Sequence, residues 1–426
     1  YLLSLSIRAD GSSKFSPENR WGSFPSASIG WNVSNESFWP MDRTDLKIRG
    51  SFGTTGNQDG IGSYASQALM GGGANYNNLS GLSITTFGNP DLTWEAAEQF
   101  DAGIDLALLE GKINITADYF VKNTKNLLYS MPIHATSGFS SVTSNIGSMQ
   151  NHGLEFLVNF SHHIGPVTWT SDFNISFIRN KLTALLGDEP LLIGANRTLQ
   201  VGEEVGSFYM YRMLGIFQSD EEVPEPLYAQ GVRAGDVHYE DVDGNGLINV
   251  DDRQIVGSSN PDFYGGWSNT FRYKNFDLSA FVTYAQGAEI YATWRITTDR
   301  LGSGKQGFRE SEALNRWTGP GTSNEVPRAI FGSSYNLQNS SRFLEDASYI
   351  RLRSVTLGYS LPKSVLEKLH MARLRVYVQG DNVGLLTRYS GIDPEVSKNY
   401  DARYMSDDNM NLPQPRTISF GINAGF

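Results

Sequence analysis

The last ten residues of the chain, 417–426, alternate between apolar and polar side chains. Successive side chains of a β-strand point to opposite faces, so this segment predicts a strand with one apolar and one polar face. About ten residues are what a tilted strand needs to cross a bilayer. A soluble β-sandwich can end on the same pattern, so the rest of the chain decides. The apolar members are Ile418, Phe420, Ile422, Ala424 and Phe426.

The clearest repetition is a hairpin over residues 99–121, with a short turn at Glu110-Gly111. Its polar face carries Asp101, Asp105 and Asp118, which would be costly in the buried core of a sandwich but suit a watery lumen. In 349–360 the alternation changes phase, which predicts a β-bulge near Arg353-Ser354. Further strands are predicted near residues 3–9, 27–33, 46–52, 154–160, 167–177, 267–273, 276–284, 349–360 and 374–378.

The connections between these strands alternate in length. Short turns are expected near 34–45, 110–111, 162–166, 274–275 and 361–372, and long connections at 55–97, 122–150, 179–263, 287–347 and 384–415. Short turns on one rim and long loops on the other are typical of an outer-membrane barrel with periplasmic turns and extracellular loops. The sequence therefore predicts an all-β chain, a transmembrane antiparallel β-barrel of about twelve to fourteen strands. Phe426 then ends the last strand at the periplasmic rim.

Composition excludes several other classes. A net charge of −11 disfavours nucleic acid, whose phosphates would be repelled. Cysteine is absent, so no disulfide or thiolate chemistry is expected. No apolar run reaches the roughly 18 residues of a membrane helix. The chain lacks G-x-S-x-G, Walker A and G-x-G-x-x-G motifs, and acidic pairs such as Glu221-Glu222 have no partner set, so no enzyme is predicted.

Several ordered segments carry a family resemblance. They read E-N-R-W-G-S-F-P-S-A-S-I-G-W, D-L-K-I-R-G-S-F-G-T-T-G-N-Q, N-P-D-L-T-W-E, I-G-S-M-Q-N-H-G-L-E-F, S-Y-I-R-L-R-S-V-T-L-G-Y-S-L-P and Y-S-G-I-D-P-E. From Tyr1 to Phe426 the chain resembles the C-terminal barrel part of SusC/RagA-type TonB-dependent outer-membrane transporters, which are plugged barrels of about 22 strands.

The resemblance implies a function and a set of partners. The expected function is TonB-energised import of oligosaccharides or peptides across the Gram-negative outer membrane. The implied partners are a SusD-like surface lipoprotein, the TonB–ExbB–ExbD system, an N-terminal plug and barrel portion, and outer-membrane lipid. The resemblance further implies that the plug, the TonB box, a signal peptide and the first barrel strands lie outside residues 1–426.

One local motif, D-V-D-G-N-G-L-I-N-V-D-D at 241–252, follows the template of a calcium loop within the long connection 179–263. Alternate oxygen ligands in a tight loop can surround one Ca²⁺, and Gly246 stands at the turn. A solvated acidic turn is the alternative interpretation. Asp252 replaces the usual glutamate. The predicted ligands are Asp241, Asp243, Asn245, the Leu247 carbonyl, Asn249 and Asp252.

Loop aromatics are weaker candidates, since most such rings pack loops together or form the interfacial girdle. The candidate substrate contacts are Tyr64, Tyr76, Tyr291, Trp294, Trp317, Tyr335 and Tyr389. The six histidines show no metal-binding spacing, and His162-His163 is expected at a polar rim.

Two alternatives remain open. A non-energised porin or adhesin barrel would lack an upstream plug and TonB box. A soluble, calcium-stabilised glycan-binding β-protein would need no detergent. The identity of the substrate does not follow from the sequence, because loops select it.

Overall fold

The structure, a computed structural model, describes residues 1–41, 43–187, 189–301, 314–332 and 334–426. The chain divides into two compact units, the first comprising Tyr1–Pro190 with Gln200–Glu203 and the second Leu191–Leu199 with Glu204–Phe426. Within the described residues, no helix has the length and apolar character to span a membrane.

The first unit contains one large antiparallel sheet of seven strands in the order β1-β2-β3-β6-β7-β10-β11 and two short hairpins, β4–β5 and β8–β9. Each long strand therefore pairs with the long strands that neighbour it along the chain. The strands are β1 Leu2–Gly11, β2 Trp21–Asn32, β3 Asp45–Asn57, β4 Leu69–Gly72, β5 Leu82–Thr86, β6 Glu95–Leu108, β7 Ile113–Lys125, β8 Leu128–Pro132, β9 Ser141–Asn145, β10 Gly147–Ile164 and β11 Val167–Leu185.

The second unit contains five long antiparallel strands in the order β18-β19-β22-β23-β25, together with small sheets formed by its loops. Its strands are β12 Leu191–Ile193, β13 Arg197–Leu199, β14 Ser207–Tyr211, β15 Met213–Ile216, β16 Val237–Tyr239, β17 Arg253–Ser258, β18 Phe263–Tyr273, β19 Phe276–Gln286, β20 Glu289–Ala292, β21 Leu344–Asp346, β22 Tyr349–Ser360, β23 Arg373–Thr387, β24 Asp407–Asp408 and β25 Thr417–Gly425.

Helical structure is sparse. The α-helices of the described residues are α1 Glu225–Ala229, α2 Thr293–Thr298 and α3 Lys363–Lys368, each of one or two turns. Single 3₁₀ turns lie at Val33–Asn35, Ala135–Ser137, Asp220–Glu222, Val250–Asp252, Tyr335–Leu337 and Ser341–Phe343.

The all-β prediction and the count of about twelve long strands are confirmed, with seven in the first unit and five in the second among the described residues. The predicted bulge is also found. Leu352 pairs with Val282 and Ser354 with Phe281, so Arg353 is the extra residue that no partner on β19 opposes. Because a bulge adds one residue to one strand, the apolar side chains on either side of it keep the same face.

The long connections were predicted with the wrong limits and contents. Strand β11 continues to Leu185, so the connection before Phe263 is shorter than 179–263. It also contains six short strands and α1. Alternation does not reveal such strands, because segments of three to six residues are too short to establish a period and their pairing is set by tertiary contacts.

The apolar face of the large sheets is exposed. In β1, Leu3, Leu5 and Ile7 are more than 70% exposed, and Phe100 and Ile104 are about half exposed in the middle of the first unit's sheet. The buried clusters lie instead at loops and strand ends. Those clusters are centred on Phe15, Phe24 and Trp94, on Phe208, Tyr291 and Phe343, and on Phe217, Leu227 and Val232. A sheet that leaves its apolar face open to its surroundings is what a lipid-facing wall requires.

Candidate functional site

The predicted calcium loop lies in the second unit, between β16 and β17. Its first half is a turn with positive φ at Gly244 and Gly246, a conformation that residues with a Cβ rarely adopt. Its second half is the 3₁₀ turn Val250–Asp252. Asn249 caps this turn, since its side chain accepts a hydrogen bond from the Asp251 backbone N–H. The loop therefore has a defined backbone on both sides of its apolar residue Ile248.

The structure brings three of the predicted ligands together. One carboxylate oxygen each from Asp241, Asp243 and Asp252 lies within 4.8 Å of the others. Asp252 is completely buried, and its carboxylate accepts hydrogen bonds from the backbone N–H groups of Val242 (2.8 Å) and Asn249 (2.7 Å). Within the described chain, no lysine or arginine forms an ion pair with these three aspartates.

This donor set fits a hard divalent cation. Three clustered carboxylates repel one another, and a buried charge is normally paired or bound to a metal. Carboxylate and amide oxygens are the ligands that Ca²⁺ prefers. Asn245 lies beside the cluster, where its side-chain amide donates to Asp243 (2.7 Å) and its Oδ1 accepts from the Leu247 backbone N–H (2.7 Å). Residues 241–252 therefore fit the predicted ion in chemistry.

Asp241 is held in its ionised form. Its desolvation acts to raise the pKa, but hydrogen bonds from the backbone N–H groups of Gly246, Gly244 and Asn245 outweigh this effect and lower the pKa below the usual value. These N–H groups lie 2.7 to 3.2 Å from the carboxylate oxygens. The loop thus keeps a negative charge where the motif places its first ligand.

Most of the aromatic candidates pack within the loops. Tyr291 is 2% exposed and donates to Asn339 (2.7 Å), and Trp294 donates to the hydroxyl of buried Tyr389 (3.0 Å). Trp317 donates to Gln218 (3.1 Å), and Tyr335 packs edge-on against Tyr239 at 5.4 Å. In contrast, Tyr76 and Tyr64 are 85% and 60% exposed. The substrate-contact prediction for these aromatic residues stays a prediction, and Tyr76 and Tyr64 have the most exposed rings among them.

The histidines stay outside any metal cluster found in the described residues. His163 lies near the end of β10, where its Nδ1 is 3.0 Å from the Thr168 hydroxyl. His238 stacks on Phe217 at 4.3 Å, and burial lowers its pKa, so it remains neutral.

The polar face of the first unit carries an ion-pair network that the sequence did not reveal. Arg49 of β3 contacts Asp101 (3.4 Å) and Asp105 (3.2 Å) of β6, and reaches across that strand to Asp118 of β7 (2.6 Å). Gly103 lies directly between Arg49 and Asp118 in the register. A Cβ there would lie 2.2 Å from the Asp118 carboxylate, so the glycine makes room for this contact.

The second unit repeats the arrangement. Arg375 of β23 donates to Asp277 of β19 (2.9 Å) across Gly358 of β22, where a Cβ would lie 2.3 Å from the guanidinium. Gly358 is the register partner of Asp277. In the sequence, each of these two ion pairs appears only as an arginine, a glycine and an aspartate on three different strands. The strand register is needed to show that the three residues are neighbours.

The comparisons with known proteins agree with this architecture. Residues 1–383 match the family described as "TonB dependent receptor-like, beta-barrel". A TonB-dependent receptor P3 from Formosa agariphila is 34% identical over the whole of this chain and 44% of its own length. The TonB-dependent receptor SusC from Bacteroides thetaiotaomicron is 28% identical over the whole chain and 42% of its own length.

Solved structures give the same result. The RagAB peptide transporter matches with a TM-score of 0.86 at 26% identity, covering all of this chain and 45% of that one. The RagAB peptide importer in its closed-closed state matches with a TM-score of 0.85 at 27% identity, covering 46% of that chain. The present chain thus spans a little under half the length of the relatives it matches.

The chain belongs to the TonB-dependent receptor-like β-barrel family and is SusC/RagA-like. It corresponds to the C-terminal part of such a barrel, and the family places it in the outer membrane of Gram-negative bacteria. The matched proteins are named as receptors and transporters rather than as enzymes.

Proposed function

We propose that the whole protein to which this chain contributes imports nutrient oligomers, either oligosaccharides or peptides, across the outer membrane with energy from TonB. In this proposal the chain forms the C-terminal part of a plugged barrel of about 22 strands. The long connections are extracellular, and the short turns and Phe426 are periplasmic. A SusD-like lipoprotein covers the loops, and the TonB–ExbB–ExbD system acts through the upstream part.

The observation that carries this proposal is the two-faced sheet in each unit. One face exposes large apolar side chains, including Phe100 and Ile104 in the first unit and Ile350 and Leu357 in the second. The other face holds ion pairs such as the one between Arg49 and Asp118. Lipid accepts only the first kind of surface, and a water-filled passage is compatible with the second.

A second proposal concerns the loop 241–252, in which Ca²⁺ would be bound by Asp241, Asp243, Asn245, the Leu247 carbonyl, Asn249 and Asp252. The support is the cluster of three carboxylates without a cationic partner in the described chain. Such an ion would hold an extracellular loop in one conformation and would have no part in chemistry on the substrate.

The test of the transport proposal is purification of the native particle from outer membranes in mild detergent, followed by mass spectrometry of every co-purifying peptide. The expected result is recovery of upstream plug and barrel peptides together with a surface lipoprotein. Uptake of the substrate by cells should then cease when the TonB gene is deleted.

Two results would contradict the proposal. Uptake that continues without TonB would indicate a passive porin. Recovery of the chain in the detergent-free soluble fraction would indicate a soluble binding protein.

A further inference from the structure

Two neighbouring loops of the first unit carry no charged side chains over long stretches. Residues 60–90 and 126–151 contain no Asp, Glu, Lys or Arg, although 19% of all residues in the chain are charged. Residues 204–262 of the second unit, by comparison, contain runs such as Asp220-Glu221-Glu222. Water-exposed loops usually carry charges, so the two uncharged stretches form an unusual surface.

These two stretches are fixed to each other. The side chain of Asn89 donates to the Thr143 carbonyl (2.9 Å). Just beyond the first stretch, Thr93 exchanges backbone hydrogen bonds with the Asn145 side chain (3.0 Å each). The rings of Phe87 and Phe139 meet edge-to-face at 5.5 Å. The loops therefore share one structured surface.

A cleft of about 380 Å³ lies between them. This size falls within the usual range of ligand pockets, about 300–1,000 Å³. Its walls contain the rings of Tyr64, Phe87 and Phe139 and a series of serine and threonine side chains, without any charged residue. Within the described chain, the side-chain hydroxyls of Ser63, Tyr64, Thr86 and Ser140 have no protein hydrogen-bond partner.

This combination selects a class of ligand. A charged group that entered the cleft would lose water and gain no counter-charge, which is unfavourable. Exposed aromatic rings offer flat apolar surfaces, and free hydroxyls both donate and accept hydrogen bonds. An uncharged sugar presents the matching surfaces, namely C–H faces and hydroxyl groups.

We propose that the cleft between residues 62–87 and 139–143 is a binding site for neutral saccharide units, with Tyr64 and Phe87 as the stacking platform. This inference rests on the proposed import function and names its substrate class. The other candidate class, oligopeptides, carries charged termini that the cleft does not pair.

The test uses the complete importer, purified with its lipoprotein partner in detergent. It is applied to a glycan array that holds neutral and anionic oligosaccharides, together with immobilised peptides. Neutral glycans are expected to bind. Tyr64→Ala and Phe87→Ala should each weaken binding about tenfold, because each removes one aromatic contact. Leu82→Ala is the control, since Leu82 is a large exposed side chain on the same hairpin that does not line the cleft, and it should change affinity less than twofold.

A variant that gains binding distinguishes loss of the site from loss of folding, because a misfolded protein would not acquire a new ligand. Thr86→Lys places a cation at the wall of the cleft and should create binding to hexagalacturonate that the parent protein lacks. Ser83→Lys, on the same hairpin but outside the cleft, should not. The inference is overturned if no neutral glycan binds, if peptides bind instead, or if Tyr64→Ala and Phe87→Ala leave glycan affinity unchanged.

These results are separable from failure of the proposed function. Peptide uptake that depends on TonB would leave the import proposal intact and overturn the saccharide site. Glycan binding through Tyr64 and Phe87 without TonB-dependent uptake would support the saccharide site and contradict the import proposal.

Discussion

Gly103 allows an ion pair to form across a strand of the first unit's sheet. Arg49 reaches Asp118 only because the strand between them carries no side chain at this position. Each half of the contact was visible in the sequence as a polar residue on the lumen-side parity. Their meeting was not, because register fixes which residues lie opposite one another and alternation leaves register open in steps of two.

We expect Gly103→Ala to destabilise the barrel by about 1–3 kcal/mol, since the new methyl group would displace a packed ion pair. The control is Gly50→Ala on β3, where the added Cβ would have no neighbour closer than 3.8 Å. The measurement is the folded fraction on unboiled gels as a function of temperature. Equal midpoints for the two variants would contradict this role for Gly103.

The second residue-scale prediction concerns the closing carboxylate of the proposed calcium loop. At a Ca²⁺ concentration one hundred times the dissociation constant, binding should stabilise the protein by about 2.7 kcal/mol. Asp252→Asn should remove this stabilisation, because it withdraws one negative charge from the cluster. Asp251→Asn, at the exposed neighbouring residue, should retain it.

The readout is the shift of the melting temperature between EDTA and excess Ca²⁺. A shift of equal size in Asp252→Asn would exclude the ion at this loop, and so would metal analysis that finds no divalent cation.

At the scale of the element, β22 shows what a sequence pattern can and cannot reveal. The change of phase around Arg353 was enough to predict the bulge, because a side-chain period of two makes one inserted residue visible. The small sheets in the connection 186–262 left no such trace. Strands such as Val237–Tyr239 are three residues long, and their pairing depends on the distant segments that surround them.

Deletion of Arg353 should abolish assembly of the second unit's sheet. Without the extra residue, Ile350 and Leu352 would turn to the polar face while Leu357 and Tyr359 kept theirs. Arg353→Ala should assemble, although it removes the ion pair of Arg353 with Glu395. Protease protection in isolated outer membranes measures the assembled fraction. Full protection of the deletion variant would show that the bulge is dispensable.

For the whole molecule, the sequence established the class of fold and the family but left the site largely undefined. The all-β architecture follows from alternation that recurs in every long strand. The proposed saccharide cleft lies between residues 60–90 and 126–151, which are joined by the hydrogen bond from Asn89 to Thr143, while Asn145 bonds to Thr93 just beyond the first stretch. Contacts of that kind join residues more than fifty positions apart, and no local pattern encodes them.

The two faces of the sheet should differ in how well they tolerate an introduced arginine. Ile104→Arg, in the centre of the apolar face, should destabilise the folded protein by about 2–4 kcal/mol in a bilayer. Ser51→Arg lies on the polar face opposite Asp101 and should have little effect. Reversible unfolding by urea in lipid vesicles measures both. Equal destabilisation by the two variants would show that the apolar face does not contact lipid.

The position of the buried clusters has a consequence for how the chain responds to its surroundings. Phe208, Tyr291 and Phe343 pack together within the loops, whereas in the part of the chain that the structure describes no such core covers the apolar face of the long strands. The packing of the loops is therefore stabilised by the hydrophobic effect in water, and this stabilisation weakens on cooling. Cohesion of the strands rests on backbone hydrogen bonds that lipid cannot replace. The stability of the strands and that of the loops thus depend on different surroundings. A change of lipid or detergent should alter the stability of the strands, whereas a change of temperature or salt in the medium should alter that of the loops.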